Sequence, residues 1–155
     1  MMQAMTPELD SHNFDAERQH WKQIRVYYED TDFTGMVYHA NYLRFFERGR
    51  SDHLRDAGVS HQSLLQREDP AAFTLTNISV DYKRAAKVDD LLYVRTRYIG
   101  VEGPRIIFQQ AVLRGAETIA EARVTAVMIH ADGRPRRPIR EIVAHLEAYR
   151  WTGAG

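Results

Sequence analysis

The stretch that decides the reading is Arg25-Val26-Tyr27-Tyr28-Glu29-Asp30-Thr31-Asp32-Phe33-Thr34-Gly35-Met36-Val37-Tyr38-His39-Ala40-Asn41-Tyr42. It enters as a strand: from Lys22, the residues Ile24, Val26 and Tyr28 alternate with Arg25 and Tyr27, the period of a half-buried extended chain. Glu29-Asp30-Thr31-Asp32 ends that strand in turn-forming and capping residues, and Gly35 marks the loop that follows. It leaves as a helix: from 39 to about 56, Tyr42, Phe45, Phe46, Gly49 and His53 recur at spacings of three and four. Glu47, Arg48, Arg50, Asp52 and Arg55 fill the other face. Three carboxylates therefore crowd the point where a strand crosses into an aromatic-faced helix.

Working outward, Gly58 fits the helix stop, and 60–68 reads as a short second helical piece before Pro70. The period then changes to two. Runs of strand type cover 73–82, 91–99, 105–114 and 118 to about 130; in the last, Ala120, Ala122, Val124, Ala126 and Met128 share one face. The breaks between them are short and rich in turn residues, which predicts an antiparallel meander. Asp132-Gly133 turns the chain, and beyond Pro138 the residues Ile139, Ile142, Val143, Leu146 and Tyr149 form a helical stripe. The expected layout is α+β, with a flexible N-terminal arm over 1–20, one domain over 21–150 and a tail over 151–155. One long helix covers one sheet face, yet runs such as 91–99 are apolar on both, so the pattern predicts a homo-oligomer.

Composition narrows the function. A chain of 155 residues supports one core, and 21 basic against 21 acidic residues give a formal net charge of 0, which disfavours nucleic acid as a partner. Cysteine is absent, removing disulfides, thiolate metal sites and cysteine nucleophiles together. No apolar run approaches the ~18 residues of a membrane span. The first twenty residues carry Glu8, Asp10, Asp15 and Glu17 where a secretory signal needs an apolar stretch, so the expected location is cytoplasmic. Phosphate-cradling glycine loops and the helical zinc motif are missing, and the scattered histidines predict no metal site. Gly49-Arg50-Ser51-Asp52-His53 begins like a nucleophile elbow but lacks the second glycine and lies inside a helix, so Ser51 is not expected to head a triad.

The junction is where chemistry is expected. A carboxylate there can serve as general base or nucleophile, with its pKa raised by burial among Phe33, Val37 and Tyr38 and by its like-charged neighbours. The helix beginning near His39 presents free backbone N–H groups to a developing oxyanion. The plainer alternative is that Asp30 and Asp32 make Asx turns, Asn41 caps the helix and Gly35 only turns the chain.

The junction resembles the 4-hydroxybenzoyl-CoA thioesterase family of hotdog-fold enzymes, and within it the YbgC-like branch associated with the Tol-Pal system. Arg25-Val26, Thr31-Asp32, Gly35, Val37, His39 and Tyr42 fall at the family's signature spacing, and 41–50 is similar to the start of its central helix. Met36 replaces the usual Ile or Val, a volume-conserving change. A weaker likeness runs through Asp81-Tyr82-Lys83-Arg84-Ala85-Ala86-Lys87-Val88-Asp89-Asp90, and the whole covers about 24–129. The resemblance implies a hotdog, a long central helix wrapped by an antiparallel sheet of about five strands, here followed by a C-terminal helix. It further implies a homodimer or tetramer with its sites at the dimer interface, and an acyl-CoA thioesterase working without a cofactor on short-chain or aromatic acyl groups. An acyl carrier protein in place of CoA, or a non-catalytic acyl-binding scaffold, are the alternatives.

Carried onto this chain, the resemblance makes Asp32 nucleophile or general base and the backbone N–H of His39 the oxyanion donor. Gly35, Val37, Tyr38 and Asn41 form the expected substrate-binding set, with Tyr38 equally readable as interface core and Asn41 as a helix cap. Glu47, on the central helix, is the rival carboxylate; its plainer reading is an ion pair with Arg50 or Arg44. Lys83, Arg84 and Arg105, with Lys87 beside them, could hold the phosphates of CoA, or equally form a solvated basic strand edge. His61 and the Arg134-Arg136-Arg137 turn read as surface.

Overall fold

The computed structural model describes residues 7–153. The first strand, β1 (His20–Arg25), leads through a 3-10 turn (Tyr28–Asp30) and the junction loop into the long helix α1 (Asn41–Asp56) and the short α2 (His61–Leu65). Four long strands follow, β2 (Ala71–Tyr82), β3 (Leu91–Glu102), β4 (Arg105–Arg114) and β5 (Glu117–His130), then the two-residue β6 (Pro135–Arg136) and α3 (Arg140–Glu147). All pairings are antiparallel in one six-stranded sheet of order β1-β3-β4-β5-β2, with β6 on β5.

This is the predicted α+β layout, with one difference of order. Only β3, β4 and β5 form a meander; β2 crosses to the far side of the sheet and pairs with β5 from Ala71↔His130 to Tyr82↔Ala120. The crossing follows from α1, which must pass over the sheet before β2 begins, so β1 and β2 become the two edges. The first strand also ends earlier than its alternation suggested: Val26 is buried, but Tyr28 lies in the 3-10 turn and is largely exposed.

The predicted helical stripe is the buried face of α1. Tyr42, Phe45, Phe46, Gly49, His53 and Leu54 are all buried, packed over Val94, Ile106, Phe108, Val112 and Val124 of the sheet. Gly49 sets how close the helix comes. A Cβ there would stand 2.5 Å from Val94 Cγ1 and 3.1 Å from Thr96 Oγ1, so any side chain would lift α1 off the sheet. Beneath it, buried Gln110 donates to the Phe46 carbonyl and to Thr96 Oγ1, both at 2.9 Å, and accepts from Arg50 Nη1 at 3.0 Å. A polar strut thus fixes the helix against the sheet with its hydrogen-bonding groups satisfied.

The N-terminal arm is not loose over its described part. The Asp15 carboxylate accepts from the backbone N–H of Glu17 and Gln19 and from the Gln19 and Trp21 side chains, folding 15–21 into a compact turn. Phe14 is buried, stacked on Tyr149 at 4.2 Å and set edge-on to His20 and His53. Burial of one aromatic anchor thus clamps the arm between α1 and the chain after α3. Trp151, in the predicted tail, is likewise fixed, its ring under the Arg97 guanidinium at 4.0 Å and its backbone N–H donating to the Tyr98 carbonyl. The remainder of the predicted arm and tail, 1–6 and 154–155, lies outside the described residues.

Candidate active site

The loop from 31 to 37 is a tight reversal. Thr31 and Val37 form an antiparallel bridge, Asp32 N–H donates to the Met36 carbonyl at 2.9 Å, and Gly35 N–H donates back to Asp32 at 3.1 Å. Gly35 has φ +81°, a left-handed conformation that only glycine adopts without strain, so the loop depends on it. The reversal is docked on 86–88 by the bonds Val37 N–H to the Ala86 carbonyl and Val88 N–H to the Gly35 carbonyl. Gly35 and Val37 therefore shape the loop; Val37 is buried beneath it.

The three carboxylates do not crowd one another as the sequence suggested. Asp30 turns inward and is buried, its Oδ1 accepting from Asn41 Nδ2 and its Oδ2 from Tyr27 N–H, each at 2.8 Å. Asp32 turns to the surface, where its Oδ1 accepts both the hydroxyl and the backbone N–H of Thr34. The Asx turn of the plainer reading is thus present at Asp32. Its Oδ2, however, carries no hydrogen bond among the described residues, so one oxygen fixes the carboxylate and the other is free. The expected rise in pKa is reversed: the Thr34 hydroxyl, then its backbone N–H, hold Asp32 below the usual carboxylate range. The apolar shell invoked for a rise is missing, because Phe33 is fully exposed and Tyr38 half exposed.

The helix start is open. Ala40 is the N-cap of α1 and has no side-chain capping bond, while Asn41, expected as a cap, spends its amide on Asp30 instead. Neither the His39 nor the Ala40 N–H donates a hydrogen bond among the described residues. Such amides at a helix N-terminus can stabilise an anion.

Two concavities flank the loop. Asp32 lines one of about 260 Å³ with Glu29, Asp30, Tyr38, Ala40, Asn41 and Arg44. The His39 side chain lines the other, about 340 Å³, with Val37, Tyr42, Tyr82, Lys83 and Arg84. Tyr82 donates its hydroxyl to the His39 carbonyl at 3.0 Å, tying β2 to the peptide before α1. Of the predicted basic residues, Lys83 and Arg84 reach this rim, in ion pairs with Glu121 at 3.8 Å and Glu117 at 3.4 Å. Arg105 does not. It begins β4, whose opposite end, Arg114, pairs with Asp90 near the loop, and nine residues of strand separate them by roughly 30 Å.

Glu47 makes neither predicted ion pair. It accepts from Ser51 Oγ at 3.1 Å, and Ser51 in turn lies 3.0 Å from His61 Nε2. These three line a separate concavity of about 210 Å³ with Leu54, Phe73, Leu75 and Phe108. His61, read as plain surface, therefore belongs to a polar cluster. Glu47 follows Asn41 by about 9 Å along the helix, away from Asp32. Sequence reasoning also missed the buried role of Asp30 and the Tyr82 bond. Neither leaves a local signal, because each joins residues far apart in the chain.

A sheet wrapped over one long helix, with a carboxylate loop opening onto that helix's uncapped start, defines a hotdog protein of the thioesterase type. Residues 26–146 match the thioesterase-like superfamily, and the chain belongs to it. It is 44% identical over 106 residues to the acyl-CoA thioesterase YbgC of Haemophilus influenzae, covering 68% of this chain and 77% of that protein. It is 36% identical over 126 residues to the acyl-CoA thioester hydrolase YbgC of Escherichia coli, covering 80% and 92%. The crystal structure of a probable thioesterase from Bartonella henselae superposes with a TM-score of 0.75 at 39% identity, covering 78% of this chain and 99% of that one. The fold, family and thioester-hydrolase class expected from the sequence are those of these relatives.

Proposed function

We propose that this chain hydrolyses acyl-CoA thioesters, with Asp32 as nucleophile or general base and the His39 N–H as oxyanion donor. The observation that carries this reading is the pairing of a carboxylate held by one oxygen, free at the other, with unpaired amides at the start of α1. A thioester carbonyl set on those amides would have its developing charge stabilised by pre-oriented donors, the arrangement that lowers the barrier of acyl transfer. Asp32 is ionised at neutral pH, so it either attacks the carbonyl carbon to expel the CoA thiolate and form a mixed anhydride, or takes a proton from an attacking water. Tyr38 and Asn41 flank the acyl side, and Lys83 and Arg84 face the phosphate-bearing carrier. Their half-exposed ion pairs cost little to exchange for phosphate.

The working unit is a homodimer or a larger assembly. β2 is an edge strand of 12 residues, and most of the exposed large apolar side chains gather around the loop, Tyr27, Tyr28, Phe33, Met36, Tyr38 and Tyr82 among them. A panel of short-chain and aromatic acyl-CoAs, followed by release of free thiol, tests the activity, and the same acyl group on acyl carrier protein tests the carrier. Hydrolysis of CoA esters well above background supports the reading. Binding without turnover across the panel replaces it with the scaffold alternative.

A further inference from the structure

We infer that Asp30 is a positioning residue for the reaction: its buried carboxylate sets the distance between Asp32 and the amides at the start of α1. The inference rests on the proposed thioester site and deepens it. Asp30 lies two residues before Asp32 and eleven before Asn41, and its side chain bonds both the turn that leads to Asp32 and the first residue of α1. Through Oδ2 it accepts from Tyr27 N–H, closing the 3-10 turn that delivers Thr31 and Asp32. Through Oδ1 it accepts from the side chain of Asn41, the first residue of α1. Its backbone adds a third tie, the Tyr38 N–H donating to the Asp30 carbonyl at 3.0 Å.

Ala40, at the cap position, has no side-chain acceptor, and Asn41 after it is already inside the helix, so the start of α1 stays open and the Asn41 amide is left to bond Asp30. A buried carboxylate is costly unless its oxygens are bonded, and Asp30 meets that condition only while both donors stay in place. The loop and the helix end are thereby locked in one relative position. A displacement of about 1 Å between reacting groups costs on the order of 10²-fold in rate, which sets the size of the effect expected when the lock is lost.

The chemistry of the pair supplies the test. In Asp30→Leu both acceptors are gone, so the bonds from Tyr27 N–H and Asn41 Nδ2 are lost together. In Asn41→Ala the turn keeps its bond but the tie to α1 is gone. The swap Asp30→Asn/Asn41→Asp restores both bonds, with the asparagine at 30 accepting from Tyr27 and donating to the aspartate at 41. Thiol release from the best acyl-CoA of the panel is followed for these variants, with melting temperature and assembly size measured on each. Each single change is expected to lower kcat on the order of 10²-fold with KM moving less than about threefold, and the swap to recover kcat to within about tenfold of wild type.

Asp30→Leu that folds and keeps kcat within threefold overturns the inference. So does a loss that falls on KM alone, or a swap that recovers melting temperature without recovering kcat. If Asp30→Leu does not fold, Asn41→Ala and the swap decide by the same criteria. Turnover abolished by Asp32→Asn but untouched at 30 and 41 removes the tie and leaves the proposed site standing; absence of turnover by the wild-type chain removes both.

Discussion

The two ends of α1 use the same kinds of side chain to opposite effect. At its start, Tyr38 and His39 are exposed, and among the described residues one oxygen of Asp32 and the amides before the first turn have no hydrogen-bond partner. In its last turns, His53 is wholly buried in a cage of aromatic rings, Phe14 at 5.2 Å, Phe108 at 5.6 Å and His20 at 5.8 Å. Polar groups without partners occur at both ends, but their cost differs. The open end is accessible to solvent, which can satisfy its amides. The closed end admits no such relief, and both ring nitrogens of His53 are without partners. The caged histidine is therefore held neutral, with burial, then the charge of His20, pushing its pKa down to about 3. His20 beside it is also lowered by burial, although its Nε2 lies 2.7 Å from Asp56. One end of the helix holds the fold, and the other is the end proposed to meet a substrate.

The largest effect expected to separate the ends is on stability. Phe14→Ala removes the ring that clamps the arm over His20 and His53 and should cost about 3–5 kcal/mol, leaving thiol release per folded molecule unchanged. Denaturant unfolding alongside activity checks this; a loss of activity in the folded variant would show that the ends are coupled.

The next effect is on pH dependence. The folded pKa of His53 lies below its unfolded value of 6.5, so the unfolded chain binds the proton more readily. Its contribution is complete above pH 6.5 and is lost as pH falls toward 3, at up to about 1.4 kcal/mol per pH unit. The stability gap between wild type and His53→Leu should accordingly shift in favour of the variant as pH falls through this window, and parallel stability curves would contradict the cage. Asp32, held below the ordinary carboxylate range, stays ionised over most of that window. Loss of thiol release near pH 5 should therefore follow the folded fraction and not a titration of the site.

The smallest effect belongs to the rim. Lys83→Ala with Arg84→Ala should raise KM for acyl-CoA about three- to tenfold, more at low salt, with kcat and stability nearly unchanged. An unaltered KM would leave the pair as surface ion pairs only.

How much of this was legible in the sequence depends on how local each feature is. The period of Tyr42, Phe45, Phe46, Gly49 and His53 announced the buried face of α1, and the alternation from Ala120 to Met128 announced β5. Which strand lies beside which is set by pairing across the chain, so β2 was read next to β3 when it lies next to β5. In the site, residue type and spacing marked the carboxylate turn, the glycine and the helix start, because these are local events; the choice of Asp32 and His39 among those residues came from the resemblance. The same reasoning misjudged the environment of Asp32 and the work of Asp30. Burial at 30 and exposure at 32 depend on the partner Asn41, eleven residues away, and no spacing rule reports that bond. Arg105 lies at the far end of its strand from the rim within one chain, and a strand's sequence neighbourhood says nothing of which end of the sheet it reaches.

On the proposed mechanism, the open end of α1 carries the chemistry through Asp32. Asp32→Asn keeps the size of the side chain and an acceptor for Thr34 while removing the charge. Thiol release from acyl-CoA by this variant, at matched melting temperature and assembly size, is expected to fall by about 10²- to 10⁴-fold. Turnover within a few-fold of wild type would contradict the account.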